Sequence, residues 1–289
     1  MIKAIQIQYD ENMEQMFEYA SKAGFRWISV GFGTGKAKVF QNDDWKKIAP
    51  YIAGLMKKYG LRCIQTHLPC YDLRVSAEVI DDLMEIAIKR AIKTSADLGA
   101  KWCVAHPRSA VNQDYSSKAG LQQNLKAFSE YAAYARETGI GLAVENMPVF
   151  SGIFWMRFFG SDYEDLCELV DSLNDPNVSV CWDFGHAHMT KFDQEKALKY
   201  VGKRISCTHI HNNYEDTDWH HAPSIGNMNW KKLMPILKEV GYEGPLTLEV
   251  NYGYENENSL STDYGNNDML ESFISHNYNC VKYLEKFMG

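Results

Sequence analysis

Short, continuously apolar runs recur along the chain, and longer segments with a helical spacing of apolar residues separate them. Such runs are typical of strands that are buried on both faces of a sheet. They predict eight strands, at residues 2–8, 27–33, 61–68, 101–106, 140–146, 178–184, 204–211 and 245–251. Helices are predicted at residues 79–98, 120–138 and 266–287, where apolar positions follow a period near 3.6 residues.

Glycines mark the ends of several predicted helices. A helix C-terminus favours a residue that adopts positive φ easily, and glycine does so at little cost. Four glycines each lie a few residues before a predicted strand: Gly60, Gly99, Gly139 and Gly241. The chain is therefore predicted to be a series of strand–helix units without a linker.

Strands that alternate with helices pair in parallel, and eight such units in 289 residues match a closed barrel. The predicted fold is a single (β/α)8 TIM barrel, with residues 1–289 as one domain. An open doubly wound sheet is the alternative, and a glycine-rich phosphate loop after the first strand would favour it. The first strand instead runs into Tyr9, Asp10 and Glu11, and the GFGTGK string at 31–36 lacks the Gly-x-Gly-x-x-Gly spacing.

Composition and charge narrow the function classes. The net charge of −7 and the pI of about 5.7 disfavour binding to a nucleic acid or an acidic membrane surface. No apolar run approaches the ~18–20 residues that span a bilayer, and the N-terminal segment lacks the features of a signal peptide. The seven cysteines are scattered without a Cys-x-x-Cys pair, which predicts buried thiols in a reducing compartment. We expect a cytoplasmic protein with a small-molecule ligand.

Four ionisable residues stand where predicted strands leave the core. Each of Glu145, Asp183, His209 and Glu249 follows a continuous hydrophobic stretch, in the order of strands five to eight. Desolvating such groups is costly unless they are paired or bind a cation. A shared divalent metal ion explains all four together. Oxygen and nitrogen ligands without cysteine suit Mn²⁺, Zn²⁺, Mg²⁺ or Co²⁺.

Further strand-end residues extend this set. His67 ends the third predicted strand, His106 ends the fourth, and His186 lies three residues beyond Asp183. Asp218 and His220 follow the seventh strand in its long loop. A single strand-end histidine is often a hydrogen-bonded core residue, but this many on neighbouring strands favour a common site. The loops 107–114, 147–161 and 212–228 follow strands at the end of the barrel where such enzymes place their substrate loops.

Several strings in the chain resemble those of the xylose-isomerase-like TIM-barrel superfamily of sugar isomerases and epimerases. The resemblance covers nearly the whole sequence and rests on VENM (144–147), WDFGHAH (182–188), HIHNN (209–213), DTDWHHAPSIGNMNW (216–230) and LEVNY (248–252). Members similar to ketose 3-epimerases and hydroxypyruvate isomerases hold one divalent ion by Glu, Asp, His and Glu. The resemblance carries those ligand roles to Glu145, Asp183, His209 and Glu249.

The same superfamily contains apurinic-site endonucleases of family 2, which hold three zinc ions. Their nine ligands have counterparts in His67, His106, Glu145, Asp183, His186, His209, Asp218, His220 and Glu249. Asp218, His220 and His186 are therefore candidates for an additional metal site. The Met147-Pro148-Val149 string and the acidic net charge depart from the nuclease pattern. Asn212, Ser224 and Asn229 depart from the isomerase pattern in the 212–230 loop.

The predicted chemistry is enolisation of a hydroxy-ketone. A divalent ion that chelates two adjacent substrate oxygens acidifies the neighbouring C–H, and two carboxylates then remove and return the proton. We assign these catalytic roles to Glu145 and Glu249, in addition to metal binding. The predicted substrate-binding residues are His186, His67, His106, His220 and Arg157.

The aromatic loop 150–159 is predicted to form an apolar lid or a subunit interface, the latter in a homo-oligomer. Trp182, Trp219 and Trp230 are candidate pocket residues, with ordinary core packing as the alternative for Trp182.

The leading prediction is a metal-dependent sugar isomerase or epimerase. The alternatives are a multinuclear zinc phosphodiesterase acting at abasic DNA, a lyase similar to inosose dehydratases, and a sugar-binding barrel without catalysis. The presence of both candidate acid/base glutamates disfavours the last of these.

Overall fold

The computed structural model describes residues 1–33, 37–70, 82–109, 116–151, 155–251 and 267–289. Its strands are β1 (Lys3–Gln8), β2 (Trp27–Gly31), β3 (Arg62–His67), β4 (Trp102–Ala105), β5 (Gly141–Glu145), β6 (Val149–Ser151), β7 (Trp155–Arg157), β8 (Val178–Asp183), β9 (Ile205–His209) and β10 (Leu246–Leu248). Its α-helices are α1 (Met13–Ala23), α2 (Ala37–Gln41), α3 (Ile48–Tyr59), α4 (Asp82–Asp97), α5 (Ser117–Thr138), α6 (Tyr163–Leu173), α7 (Phe184–Met189), α8 (Gln194–Val201), α9 (Trp230–Glu239) and α10 (Asn267–Glu285). Short 3-10 turns flank α3, α8 and α10.

Eight parallel strands form the barrel, in the order β10-β1-β2-β3-β4-β5-β8-β9. Two backbone hydrogen bonds join its ends: Ile210 N–H donates to Thr247 O at 2.8 Å, and Glu249 N–H donates to Ile210 O at 3.1 Å. Helices lie between successive strands, as parallel pairing requires. The prediction of a single (β/α)8 TIM barrel is confirmed, and every predicted strand overlaps an observed one.

Local sequence explains the helix boundaries. Helix α5 begins after Ser116, whose side-chain oxygen accepts a hydrogen bond from Ala119 N–H at 3.3 Å. It ends at Gly139, which has φ 80°. The predicted helix-ending roles of Gly60, Gly99 and Gly241 are likewise confirmed, since all have φ between 68° and 78°.

Two features differ from the predicted alternation. The long loop after β5 contains the antiparallel hairpin of β6 and β7, in which Val149 pairs with Arg157. Strand β8 ends at Asp183, one residue earlier than predicted, because the Asp183 carboxylate accepts the His186 N–H at 2.6 Å and caps α7. Predicted features at residues 34–36, 79–81, 110–114 and 252–266, which include the polar tail loop, lie outside the described residues.

The apolar residues form two cores. The larger core lies between the barrel and its helices, and the smaller consists of Val104, Ala143, Cys181 and Cys207. Because strand side chains alternate between faces, this small cluster fills the barrel interior. The predicted burial of cysteines holds for Cys63, Cys103, Cys167, Cys181 and Cys207, whereas Cys70 and Cys280 are half-buried. No helix in the described ranges is both long and apolar enough to cross a bilayer.

The aromatic predictions need correction. Trp182 is fully buried in the outer core near Phe192, so it does not line a pocket. Trp230 is also buried, and its indole N–H donates to Pro223 O at 2.9 Å. Phe158 and Phe159 of the predicted lid are 2% and 1% exposed, so they pack into the fold instead of covering its surface. Phe154 lies outside the described residues.

Candidate functional site

The four predicted metal ligands converge at the mouth of the barrel. His209 Nδ1 lies 2.9 Å from Glu145 Oε1, 2.9 Å from Glu249 Oε2 and 3.8 Å from Asp183 Oδ2. Glu145, Asp183 and His209 end β5, β8 and β9, and Glu249 follows β10 directly. The side chain of Glu249 is 13% exposed, whereas the other three are fully buried. We refer to these four residues as the central set.

Burial and charge act in opposite directions on the central set. Burial raises the pKa of the Glu145 carboxyl, but the neighbouring His209 and His106 outweigh it and hold that pKa well below its usual value. The pKa of Glu249 is lowered in the same way, chiefly by His209. Burial lowers the pKa of His209, but Cys181, Glu145 and Glu249 raise it well above the ordinary value. Both glutamates are therefore ionised at neutral pH.

A second set of ligand-type atoms shares Glu145. His67 Nε2, His106 Nε2 and Glu145 Oε2 form a triangle with edges of 3.2, 3.1 and 3.3 Å. The other ring nitrogen of His67, Nδ1, donates to Leu68 O at 2.8 Å. This assignment leaves the lone pair of His67 Nε2 facing the carboxylate.

A third set of ligand-type atoms surrounds Asp218. Asp218 Oδ2 is 3.2 Å from His186 Nε2 and 3.1 Å from His220 Nε2. The Nδ1 atoms of these rings donate to Asn146 O and Glu249 O at 2.9 and 3.0 Å. His220 adopts φ 50°, an uncommon backbone conformation for a non-glycine residue and one that occurs often at functional sites.

These arrangements fit cations. Where Nδ1 donates to a carbonyl, Nε2 of a neutral imidazole carries a lone pair, and here it faces a carboxylate that can only accept. Only a shared cation or an added proton removes this conflict. Zn–N and Zn–O bonds of about 2.0–2.2 Å in a tetrahedron place ligand atoms roughly 3.3–3.5 Å apart, close to the observed edges. Metal-binding histidines commonly donate their second nitrogen to a carbonyl, as His67, His186 and His220 do.

The pKa values of His106 and His220 are raised by neighbouring acidic groups. Burial lowers the pKa of His106, but Cys70 and Glu145 outweigh it and raise that pKa to about 9. Burial likewise lowers the pKa of His220, and Asp218 raises it to about 10. The neighbouring carboxylates thus favour positive charge at these two imidazoles. The structure therefore brings together all nine ligand-type residues predicted from the sequence.

Arg157 lies apart from the nine ligand-type residues. Its guanidinium forms an ion pair with Asp162 at 3.1 Å. It also lines a cavity of about 430 Å³ together with Val149, Met189 and Phe192. None of the nine ligand-type residues is among the described residues that line this cavity. Arg157 therefore stays a prediction as a substrate-binding residue, and its location gives that role no support.

Sequence reasoning missed four residues at the site or directly behind it. Gln6 Nε2 donates to Glu249 Oε1 at 2.6 Å, and Ser29 Oγ donates to Gln6 Oε1 at 3.1 Å. Cys70 Sγ lies 4.0 Å from His67 Nδ1, and the pKa of its thiol falls to about 5 because His106 and His67 outweigh burial. His211 contacts Asp183 at 3.0 Å. A polar residue inside a buried strand was the available signal for Gln6, and the HIH string was the signal for His211.

Comparisons with known proteins agree with this architecture. The chain matches the family model of the xylose isomerase-like TIM barrel over residues 17–265. The uncharacterized protein MJ1311 of Methanocaldococcus jannaschii is 29% identical over 205 residues, which make up 69% of this chain and 68% of that protein. The L-ribulose 3-epimerase of Methylomonas sp. is 23% identical over 244 residues, 80% of this chain and 75% of the relative.

A solved structure shares the whole fold. The crystal structure of a D-tagatose 3-epimerase-like protein superposes with a TM-score of 0.75 at 20% identity, over 100% of this chain and 98% of that one. The family match confirms the resemblance that the strand-end motifs predicted. The chain belongs to the family of xylose isomerase-like TIM barrels.

Proposed function

We propose that this protein is a metal-dependent sugar isomerase or epimerase that interconverts ketoses or related hydroxy-keto compounds through an enediolate. The observation that carries the proposal is the convergence of two carboxylates, Glu145 and Glu249, each 2.9 Å from His209 Nδ1. They come from β5 and from the residue after β10, so they approach the mouth of the barrel from different strands. The similarity to an L-ribulose 3-epimerase supports the same reaction class.

A divalent cation held by Glu145, Asp183, His209 and Glu249 would supply Lewis acidity that favours loss of the substrate proton next to the carbonyl. Side chains of the protein carry out the proton transfers. Lowered pKa values keep Glu145 and Glu249 ionised, so either carboxylate can accept a proton. Return of that proton by the same carboxylate to the neighbouring carbon gives an isomer. For an epimer, the opposite carboxylate delivers a proton taken from solvent to the other face of the same carbon, and the first carboxylate releases the substrate proton to solvent.

The surrounding side chains orient this pair. Gln6 holds Glu249 Oε1 and leaves Oε2 directed towards His209. Of the two glutamates only Glu249 is partly exposed, so a substrate that enters the mouth reaches it first. His106 is also partly exposed, with a side-chain exposure of 15%, and its imidazole is suited to hold a substrate oxygen. The predicted substrate-binding roles of His186, His67 and His220 belong to the same proposal.

Solvent exchange tests the reaction directly. The protein is loaded with Mn²⁺ or Co²⁺ and incubated with a panel of ketoses in D₂O, and deuterium at the carbon next to the carbonyl is measured by NMR. We expect exchange with wild type and a loss of about 10²- to 10⁴-fold in Glu145→Gln and in Glu249→Gln.

A matched control accompanies these variants. Glu239→Gln alters an exposed carboxylate on α9 that pairs with Lys199, and we expect it to exchange like wild type. Circular dichroism checks that the glutamine variants remain folded. Full exchange in both site variants would overturn the assignment of the two glutamates.

A second candidate function is phosphodiester hydrolysis at abasic DNA by a multinuclear zinc site. The observation that favours it is the pair of flanking sets, one around Glu145 Oε2 and one around Asp218 Oδ2, with ligand edges of 3.1–3.3 Å. The net charge of −7 works against it, because a phosphate backbone is repelled.

Metal counting and a cleavage assay distinguish the two candidates. Plasma emission on protein purified with excess zinc gives the number of ions per chain, and an abasic duplex reports strand cleavage. About three ions together with cleavage would favour the phosphodiesterase. About one ion, ketose exchange and an intact duplex would favour the isomerase.

A further inference from the structure

His211 connects the central set to the third set. It is fully buried at the start of the loop after β9, two residues beyond the predicted ligand His209. Its Nε2 lies 3.0 Å from Asp183 Oδ1 and 3.1 Å from Asp183 Oδ2. Neither the isomerase resemblance nor the nuclease resemblance gives this residue a role, so its contacts alone indicate what it does.

The partner of His211 fixes which nitrogen carries the proton. The Asp183 carboxylate can only accept hydrogen bonds, so Nε2 must donate. The other nitrogen, Nδ1, is buried and has no hydrogen-bond partner among the described residues. One N–H is therefore shared between both oxygens of Asp183. The Cβ–Cγ torsion of aspartate is soft, and a shared donor holds the plane of the carboxylate in one orientation.

The neighbouring ring shows that His211 is not a ligand for the same ion as His220. The two imidazoles are stacked, with centroids 4.0 Å apart and planes inclined by 9°. An ion lies close to the plane of the imidazole that binds it, and one ion cannot lie in two parallel planes that are stacked on each other. His211 thus stacks on His220 while it donates to Asp183.

The backbone at Gly185 leaves space for the imidazole of His211. A side chain at Gly185 would overlap the imidazole of His211. The next loop residues are also anchored there, because Asn213 Nδ2 donates to Gly185 O at 2.9 Å. Asp183 itself receives a second hydrogen bond, from His186 N–H at 2.6 Å. The carboxylate is therefore held by two donors, with Oδ2 towards His209.

We propose that His211 is a positioning residue for the metal centre: it donates to Asp183 and fixes that carboxylate for binding a divalent cation. The inference rests on the proposed function, because it requires that the central set binds a metal ion. Hydrogen-bond partners of metal ligands typically contribute about 10- to 100-fold to metal affinity or activity. We expect an effect of that size.

The test separates the hydrogen bond from the ring. His211→Phe retains an aromatic ring that can stack on His220 but cannot donate, and His211→Gln can donate but has no ring. Co²⁺ is titrated into metal-free wild type and both variants, and visible absorption gives the dissociation constant of the tightest site. His221→Phe is the matched control, because His221 lies in the same loop and stacks on Trp219 with planes inclined by 1°.

We expect Co²⁺ to bind His211→Phe about 10- to 100-fold more weakly than wild type, and to bind His211→Gln and His221→Phe nearly as wild type does. Wild-type affinity in His211→Phe would overturn the inference, and so would an equal loss in the Phe and Gln variants. Absence of Co²⁺ binding to wild type would instead overturn the proposed metal-dependent function. Circular dichroism verifies folding, and His211→Leu replaces the Phe variant if that variant is unfolded.

Discussion

Two successive layers inside the barrel have opposite character. The mouth layer consists of His67, His106, Glu145, Asp183, His209 and Glu249. The inner layer consists of the residues two positions earlier on the same strands, which are Gln65, Val104, Ala143, Cys181, Cys207 and Thr247. Side chains two apart on a strand point to the same face, so each member of one layer lies next to a member of the other.

The inner layer carries no charged side chain. All six of its side chains are fully buried, and four of them form the small apolar cluster. Its two polar members are neutral, and Thr247 Oγ1 donates to Gln65 Oε1 at 3.1 Å. The mouth layer instead concentrates carboxylates and imidazoles whose acceptor atoms face each other. One strand therefore places a core residue at one position and a candidate metal ligand two residues later.

Metal removal should give the largest difference between the layers. A ligand present at about 1,000 times its dissociation constant stabilises the folded state by about 4 kcal/mol. For a chain of this size, chelation of a bound cation should lower the melting temperature by roughly 10 °C. Differential scanning calorimetry with and without a chelator measures the shift. An unchanged melting temperature after verified metal loading would contradict the cation-binding role of the mouth layer.

A change in the inner layer should reduce stability without affecting metal binding. Cys207→Ser places a hydroxyl in a fully buried apolar cluster, where an unsatisfied polar group costs about 1–3 kcal/mol. Urea unfolding measures the loss of free energy, and Co²⁺ titration measures the affinity of the metal site. Cys280→Ser, at a half-buried position on α10, is the control. A large loss of metal affinity in Cys207→Ser would show that the two layers are not independent.

The pH dependence of metal-free protein should arise at His106 of the mouth layer and at His220 of the third set. His106 and His220 have pKa values raised to about 9 and about 10, compared with about 6.5 in an unfolded chain. Their contribution to stability is complete below about pH 6.5 and disappears as the pH rises through 9 to 10. We therefore expect the melting temperature of the chelated protein to fall between pH 7 and 10.

The metal-loaded protein provides the comparison for this experiment. A bound cation replaces the protons on these rings, so its melting temperature should fall less over the same range. An equal fall in both forms would assign the effect to groups other than His106 and His220.

The smallest effect is expected for Arg157→Ala. Arg157 pairs with Asp162 in a separate cavity, so its removal should change kcat/KM on a ketose substrate by less than about threefold, within the range of a surface ion pair. Steady-state kinetics against wild type measures it. A decrease of kcat/KM by a hundredfold or more would instead support a substrate-binding role for Arg157.

Much of the fold followed from local patterns. Continuous apolar runs predicted every barrel strand, and helical periodicity predicted α4, α5 and α10, with a glycine end for α4 and α5. Local patterns could not predict the β6–β7 hairpin, because its pairing depends on a turn within a long loop. The burial of Trp182 was also undecided, because outward and inward faces of a doubly buried strand are equally apolar.

For the site, strand-end positions in the sequence predict the nine ligand-type residues at the mouth of the barrel, because all strands of a parallel barrel end on the same side. The contacts between individual ring nitrogens and carboxylate oxygens become evident only in the folded structure. Those contacts join residues far apart in the chain, such as His67 with Glu145 and Gln6 with Glu249, through side-chain torsions that no local pattern encodes. The role of His211 depends on the same geometry, since a shared hydrogen bond to Asp183 and a stacked His220 exist only after β8, β9 and the following loop have packed together.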